Sequence, residues 1–259
     1  MQNNFIFRGG AVLGRDHAMR GQNRQDGYAL KEVEIGGQIF KIGVVSDGCS
    51  GGKCNEVSGL LLPIFVVNQT IRLLEYEVPI RELPTALYPQ VIGFLESLRN
   101  SVPFSCREDS ITFVRDFLLA TVIGFVVGES EGVAFSSGDG FVVVNDEIVS
   151  LDYGNRSPYI GYHLVPQAVL HGDRPELPRT FDARPLEVEN LVYLAAATDG
   201  FRTDLLRRLR TESLPGPLGV QLWLNRTNGP RSPYPPPERF WDDGAVVELR
   251  RCEKGGEAE

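Results

Sequence analysis

The chain is poor in cysteine, in excess positive charge and in long apolar runs. Its four cysteines (Cys49, Cys54, Cys106, Cys252) are too few for a dense disulfide framework in 259 residues. Cys49 and Cys54 have no second close pair beside them, which argues against a structural zinc site. Reduced thiols in a cytoplasmic protein are the expectation. The formal charge of -8 excludes nucleic-acid binding by overall electrostatics. Arg207, Arg208 and Arg210, and then Arg250 and Arg251, are basic clusters short enough to be solvated ends of elements. The longest apolar run, Phe117 to Val127, is too short to span a bilayer and reads as a buried strand, so no membrane partner is expected. No charged-then-apolar leader is seen. No internal repeat, P-loop or G-x-S-x-G elbow is present, so neither a phosphate-cradling loop nor a serine nucleophile is indicated.

The composition is otherwise that of a globular protein, with 42% apolar and 23% charged residues. A chain this long buries a core without staples. Strand-like segments are expected at Phe5 to Leu13, Gly27 to Ile35 and Gln38 to Ser46, the last two joined by a Gly36-Gly37 turn, all read as antiparallel pairs. Helical periodicity follows over Glu56 to Leu74, with Leu60, Leu61, Ile64, Val67 and Ile71 on one side and Pro63 as a late start or a bend. A second helix over Pro84 to Asn100 would bury Leu87, Val91, Phe94, Leu95 and Leu98. Strands are then expected at Leu118 to Val127, Gly132 to Ser137, Phe141 to Asn145 and Val192 to Ala197. Helices follow at Thr203 to Glu212 and Leu218 to Leu224, then a proline-rich loop over Gly229 to Pro237 and a last strand at Ala245 to Leu249. Segregated runs of strands and helices argue for an α+β fold: an α-β-β-α sandwich of two antiparallel sheets flanked by helices. A single domain over 1–252 and a polar tail over 253–259 are expected.

Several apolar strands run straight into an Asp-Gly pair: Asp47-Gly48, Asp139-Gly140, Asp199-Gly200, and Asp242-Asp243-Gly244 before the last strand. Each alone reads as a favoured turn. As a set they suggest carboxylates gathered at one sheet edge, where they repel unless cations or protons compensate. Hard oxygen ligands select magnesium or manganese.

Taken in order, the blocks Gly14-Arg15-Asp16-His17 through Gln25-Asp26, Val44 through Gly52, Ala197 through Phe201, and Asp242 through Val247 resemble the metal-dependent PPM, or type 2C, serine/threonine protein phosphatases, their bacterial branch above all. Phe135 through Gly140 looks like that family's strand followed by Gly-Asp-Ser. The resemblance runs from about residue 10 to about residue 250 and implies the same sandwich. It implies a phosphoric monoester hydrolase with two divalent cations, Mn2+ or Mg2+, activating a bridging water against phosphoserine or phosphothreonine in proteins. Asp47 would bridge both ions, with the Gly48 carbonyl on one and Asp199 and Asp242 on the other. Asp26 would hold metal-bound water, and Asp139 would help bind a weak third ion. Signalling, a phosphoprotein substrate and a cognate kinase are the implied context; the oligomeric state stays open.

Departures from the family pattern are specific. Gln25 replaces a glutamate common before the first aspartate. Gly21 stands where an arginine normally grips phosphate, leaving Arg20 and Arg24 as the nearest replacements. His17 or a metal-bound water would serve as leaving-group acid, unless His17 is structural. Thr203 stands where an acidic residue is frequent. Cys49 is either a small filler or an oxidation-sensitive thiol. Tyr153, Tyr159 and Tyr162 fall in a region, Leu151 to Pro185, expected to face substrate. The alternative is a catalytically weak or inactive module of the same fold that binds a phosphoprotein or regulates a kinase.

Overall fold

A computed structural model describes residues 5–154, 156–166, 169, 177–229, 232 and 239–252. Ten strands among them form two antiparallel five-stranded sheets. The first sheet has the order β1 (Phe5–Val12), β10 (Gly244–Arg251), β9 (Tyr193–Ala197), β6 (Gly140–Val144), β7 (Glu147–Leu151). The second has the order β2 (Gly27–Ile35), β3 (Gln38–Ser46), β4 (Val122–Val127), β5 (Gly132–Ser137), β8 (Asp182–Leu186). The α+β sandwich is as expected; the tail over 253–259 and most of the proline-rich loop lie outside the described residues.

The period-2 alternation of strand side chains makes four layers out of these sequences. In β10, Val247 and Leu249 point between the sheets, against Val45, Ile123 and Phe125. Val246 points the other way, onto α5 (Thr203–Thr211) and α6 (Gly219–Asn228), where Leu205 and Trp223 cover it. In β3, Val45 faces the other sheet, while Ile42 and Val44 face α2 (Glu56–Glu75), α3 (Leu83–Asn100) and α4 (Arg107–Phe117). Central strands buried on both faces therefore read as unbroken apolar runs. On the helix side of the first sheet, Glu248 is fully buried and takes Arg8 Nη2 at 2.6 Å and the Tyr193 hydroxyl at 3.0 Å.

Five expectations change. β1 does not pair with β2; it pairs with β10 in the other sheet, from Phe5 against Arg251 to Val12 against Gly244. Residues Arg107–Phe117 form a helix, and the strand expected from Leu118 begins only at Val122. β7 and β8 were not anticipated: both are short edge strands, and the edge position is what tolerates Pro185 within β8. Pro63 lies inside a continuous α2 instead of delaying it. The apolar stripe of α2 is also rotated: Ser58, Gly59, Leu62, Pro63, Val66, Val67, Thr70 and Leu74 are buried, while Leu60, Leu61 and Ile64 are exposed. Small residues face inward because the start of α2 abuts backbone: a Cβ on Gly59 would lie 1.9 Å from the Gln25 carbonyl oxygen. Among the described residues α2 is also the one helix long and apolar enough to cross a membrane, with mean hydropathy 1.6; 44% of that stretch is buried here.

The Gly36-Gly37 hairpin is as expected, with φ of 59° and 79°. Two successive positive φ values make the primed turn whose twist matches the strands it joins.

Candidate metal centre

Strand register brings the acidic turns to one end of the sandwich. Gly27 of β2 pairs with Ser46 of β3, which sets Asp26 beside Asp47. Phe141 of β6 and Val246 of β10 both pair with Ala197 of β9, which sets the turns at Asp139, Asp199 and Asp242-Asp243 side by side. Asp139 occupies the crossing between the two sheets, flanked by Gly138 and Gly140 at φ of 105° and 146°, values that a side chain would strain.

A cleft of about 610 Å³ opens there. Asp47, Asp139, Asp152, Asp199 and Asp242 line it together with Gln25 and Ser157, and no lysine or arginine is among the lining residues described. Asp26 lies beneath the floor, 2% exposed, and takes the Thr198 hydroxyl at 2.5 Å. Thr198 Oγ1 in turn accepts from the Ala245 N–H at 2.9 Å, so the carboxylate is tied to the start of β10. The Asp47 loop is held from the other side: its N–H donates to Thr121 Oγ1 at 2.9 Å and its carbonyl accepts from the Thr121 N–H at 2.8 Å. Gly48 bridges to Ala120 and packs against the backbone of Asn55.

These carboxylates are electrostatically frustrated. Burial pushes Asp26 up to about 7, with Asp243 and Asp199 adding repulsion and hydrogen bonds from Asp47 and Thr198 opposing it. Burial, then Asp26 and Asp199, push Asp47 well above the carboxylate range. Asp199 opens onto the cleft, yet removal from bulk water and then Asp242 raise it to about 6. Asp26, Asp47 and Asp199 thus all lie above the ordinary carboxylate range, because burial and their mutual repulsion disfavour charge on each, and protons relieve that repulsion. A cation relieves the same repulsion. The donor set fits a hard divalent ion: it is all oxygen, and the Gln25 side-chain oxygen is buried in it without a hydrogen-bond partner.

The other expected residues are placed differently. Arg20 is exposed and pairs with Asp16 at 3.0 Å. Arg24 is half-buried, with Nε on the Asp26 carbonyl at 2.8 Å. Neither lines the cleft. His17 is buried, with Nδ1 2.8 Å from Asp243 Oδ2 and 4.0 Å from Asp242 Oδ1. His17, Asp242 and Asp243 are the only described group of three whose ligand atoms all lie within 4.8 Å of one another. Asp243, however, is already engaged by the Gly14 N–H at 2.7 Å and the Gln25 N–H at 2.6 Å. Asp204, next to Thr203, is paired with Arg202 at 2.9 Å. Of the tyrosines, Tyr159 and Tyr162 line the cleft, and Tyr159 hydrogen-bonds the Cys49 thiol beside it. Tyr153 donates its N–H to Asp139 Oδ1 at 2.6 Å.

Sequence reasoning missed Asp243, Thr198, Ser157 and Asp152. Thr198 carried a signal, as the one hydroxyl closing the run Leu194 to Ala197. Asp243 carried half of one: the Asp-Asp doublet offered two carboxylates without saying which faces the cleft.

No family model and no curated protein sequence matches the chain. Solved structures do match. A single-residue variant of a bacterial serine phosphatase superposes with a TM-score of 0.59 at 16% identity, over 97% of this chain and 100% of that one. The fold is that of the bacterial serine phosphatases. The serine/threonine phosphatase Stp1 from Staphylococcus aureus gives 0.52 at 15% identity, over 95% of this chain and 94% of its own. PppA, a key regulatory component of T6SS in Pseudomonas aeruginosa, gives 0.51 at 14%, over 96% and 100%.

Proposed function

We propose that this phosphatase-fold chain is a metal-dependent hydrolase of phosphoserine and phosphothreonine in proteins, working with two Mn2+ or Mg2+ ions. The supporting observation is the cleft itself: five lining aspartates with no basic side chain among its described lining residues. Asp47, beside Asp26 and Asp199, would hold the ions together with Asp199, Asp242 and the Gly48 carbonyl, and the unpartnered Gln25 side-chain oxygen would join them. Asp139 is the candidate for a weaker third ion. When bound, the ions would orient the phosphoryl group and supply a nucleophile at neutral pH.

The chain's own part is positional. Thr198 fixes the Asp26 carboxylate beneath the floor, from where it would hold Asp47 in position. Tyr159 and Tyr162 form an aromatic wall on which a phosphopeptide would lie. His17, being buried on Asp243, is not assigned the leaving-group proton. Arg20 and Arg24 would reach substrate phosphate only by leaving their present partners. The lack of an arginine among the described lining residues favours a second reading, a phosphoprotein-binding module without turnover. A cytoplasmic location and a cognate kinase belong to the same proposal.

Hydrolysis of p-nitrophenyl phosphate with manganese, with magnesium and with chelator tests it. Divalent-dependent release is expected. A folded protein that binds manganese and a phosphopeptide but releases nothing favours the binding module.

A further inference from the structure

Asp243 connects four separate segments of the candidate site. Its side chain is 1% exposed. Oδ1 takes the Gly14 N–H at 2.7 Å, Oδ2 takes the Gln25 N–H at 2.6 Å, and His17 Nδ1 stands 2.8 Å from the same Oδ2. Its own N–H donates to Asp242 Oδ1 at 2.8 Å. Its carbonyl oxygen presses on the Asp199-Gly200 turn so closely that a Cβ on Gly200 would lie 1.5 Å away. The residues before it also carry the start of α1 (Arg15–Arg20), since the Asp16 N–H donates to the Trp241 carbonyl at 3.0 Å.

Resting on the phosphatase reading above, we propose that the Asp243–His17 pair is the positioning latch of the metal centre. It holds the Gln25-Asp26 turn at the distance from Asp242 that the ions require. Only a carboxylate does this, because both of its oxygens accept and donors stand on both sides. An asparagine would turn an NH2 towards either the Gly14 N–H or the Gln25 N–H, losing one tie and adding a donor–donor clash. His17 closes the latch from α1 as a close Nδ1–Oδ2 contact, 2.8 Å apart though not aligned as a hydrogen bond, which accounts for a buried histidine that does not line the cleft. It also accounts for an Asp-Asp doublet: Asp242 faces the ions and Asp243 faces inward.

The test is manganese affinity by calorimetry on the metal-stripped full chain, beside p-nitrophenyl phosphate kinetics. Asp243→Asn should raise the manganese Kd about tenfold or more, as loss of a supporting partner behind a metal ligand does, and lower kcat more than it raises KM. His17→Leu should weaken manganese in the same direction, and His17→Gln, whose amide N–H reaches towards the same oxygen, should recover most of the affinity. Glu248→Gln, in the buried pair far along β10, serves as the stability control and should leave the manganese Kd unchanged. Wild-type turnover with an unchanged Kd in a folded Asp243→Asn variant would overturn the latch and leave the phosphatase reading standing. Equal loss of affinity in Glu248→Gln would reduce Asp243 to general stability and also overturn it. A wild-type chain that binds no manganese removes the phosphatase reading and the latch with it.

Discussion

Replacing Asp47 by asparagine should destroy metal binding and yet stabilise the metal-stripped protein. Asp26 is raised from 3.8 to about 7. At about 1.4 kcal/mol per pKa unit, that environment costs about 4 kcal/mol of stability once the unfolded chain would ionise. Asp47 is raised in the same direction, by burial first and then by Asp26 and Asp199. Its residue keeps some exposure to the cleft, so relief of that one charge is set at about 2 kcal/mol, within the usual range for a single substitution. Asparagine carries no charge to desolvate and none to repel Asp26 and Asp199. The stripped Asp47→Asn variant should therefore melt about 4 to 8 °C above stripped wild type near pH 8, given about 2–4 °C per kcal/mol for a chain of this size. Near pH 4 the difference should vanish, because the unfolded aspartate is then protonated too. Excess manganese should reverse the order, since about 2.7 kcal/mol accrues to wild type at a hundred times Kd and nothing accrues to the variant. Melting followed by circular dichroism, in chelator and in manganese, reads all three. A stripped variant that melts below wild type near pH 8, or one that gains as much from manganese, would refute the assignment of Asp47 as the frustrated bridging carboxylate.

The stripped wild type should itself lose stability as pH rises from about 4 through about 7, because native Asp26 and Asp199 hold protons that the unfolded chain has released. Saturating manganese should flatten that slope, and melts across a pH series measure it. Thr198→Val removes the donor to Asp26 and the acceptor for the Ala245 N–H, and should cost about 2 kcal/mol in denaturant titration as well as weakening manganese. Gly59→Ala forces a methyl to 1.9 Å from the Gln25 carbonyl and should cost about 3 kcal/mol while shifting the Gln25-Asp26 turn. Retention of wild-type stability by Gly59→Ala would mean that α2 does not brace the site.

Much of the fold was legible because its signals are local. Gly36-Gly37 between alternating strands specifies a hairpin, and the runs at Gly43 to Ser46 and Leu194 to Ala197 are apolar because both faces of those strands are covered. Other features were set by distant partners. The exposed face of α2, with Leu60, Leu61 and Ile64, is as apolar as its buried face, so periodicity could not choose between them. The buried face is the one bearing Gly59 because only a glycine fits against Gln25. Helix α4 buries Val114 but carries a polar surface, and the apolar residues just after it drew the strand assignment too early. For the site, Asp-Gly turns located the acidic donors, while Arg20, Arg24 and His17 were grouped with them by nearness in sequence; an exposed ion pair, a backbone carbonyl and Asp243 hold them elsewhere.

The sequence by itself determined the chemistry available: hard oxygen donors at the ends of apolar strands, no thiolate pair, no nucleophile elbow, no phosphate loop. That follows from residue types and from what ends a strand. Which carboxylates meet was decided only by tertiary structure, since Thr198 reaches Asp26 across 172 residues and Asp243 reaches Gln25 across 218. Antiparallel register in two stacked sheets brings those ends together, and the repulsion created there is a property of no single segment.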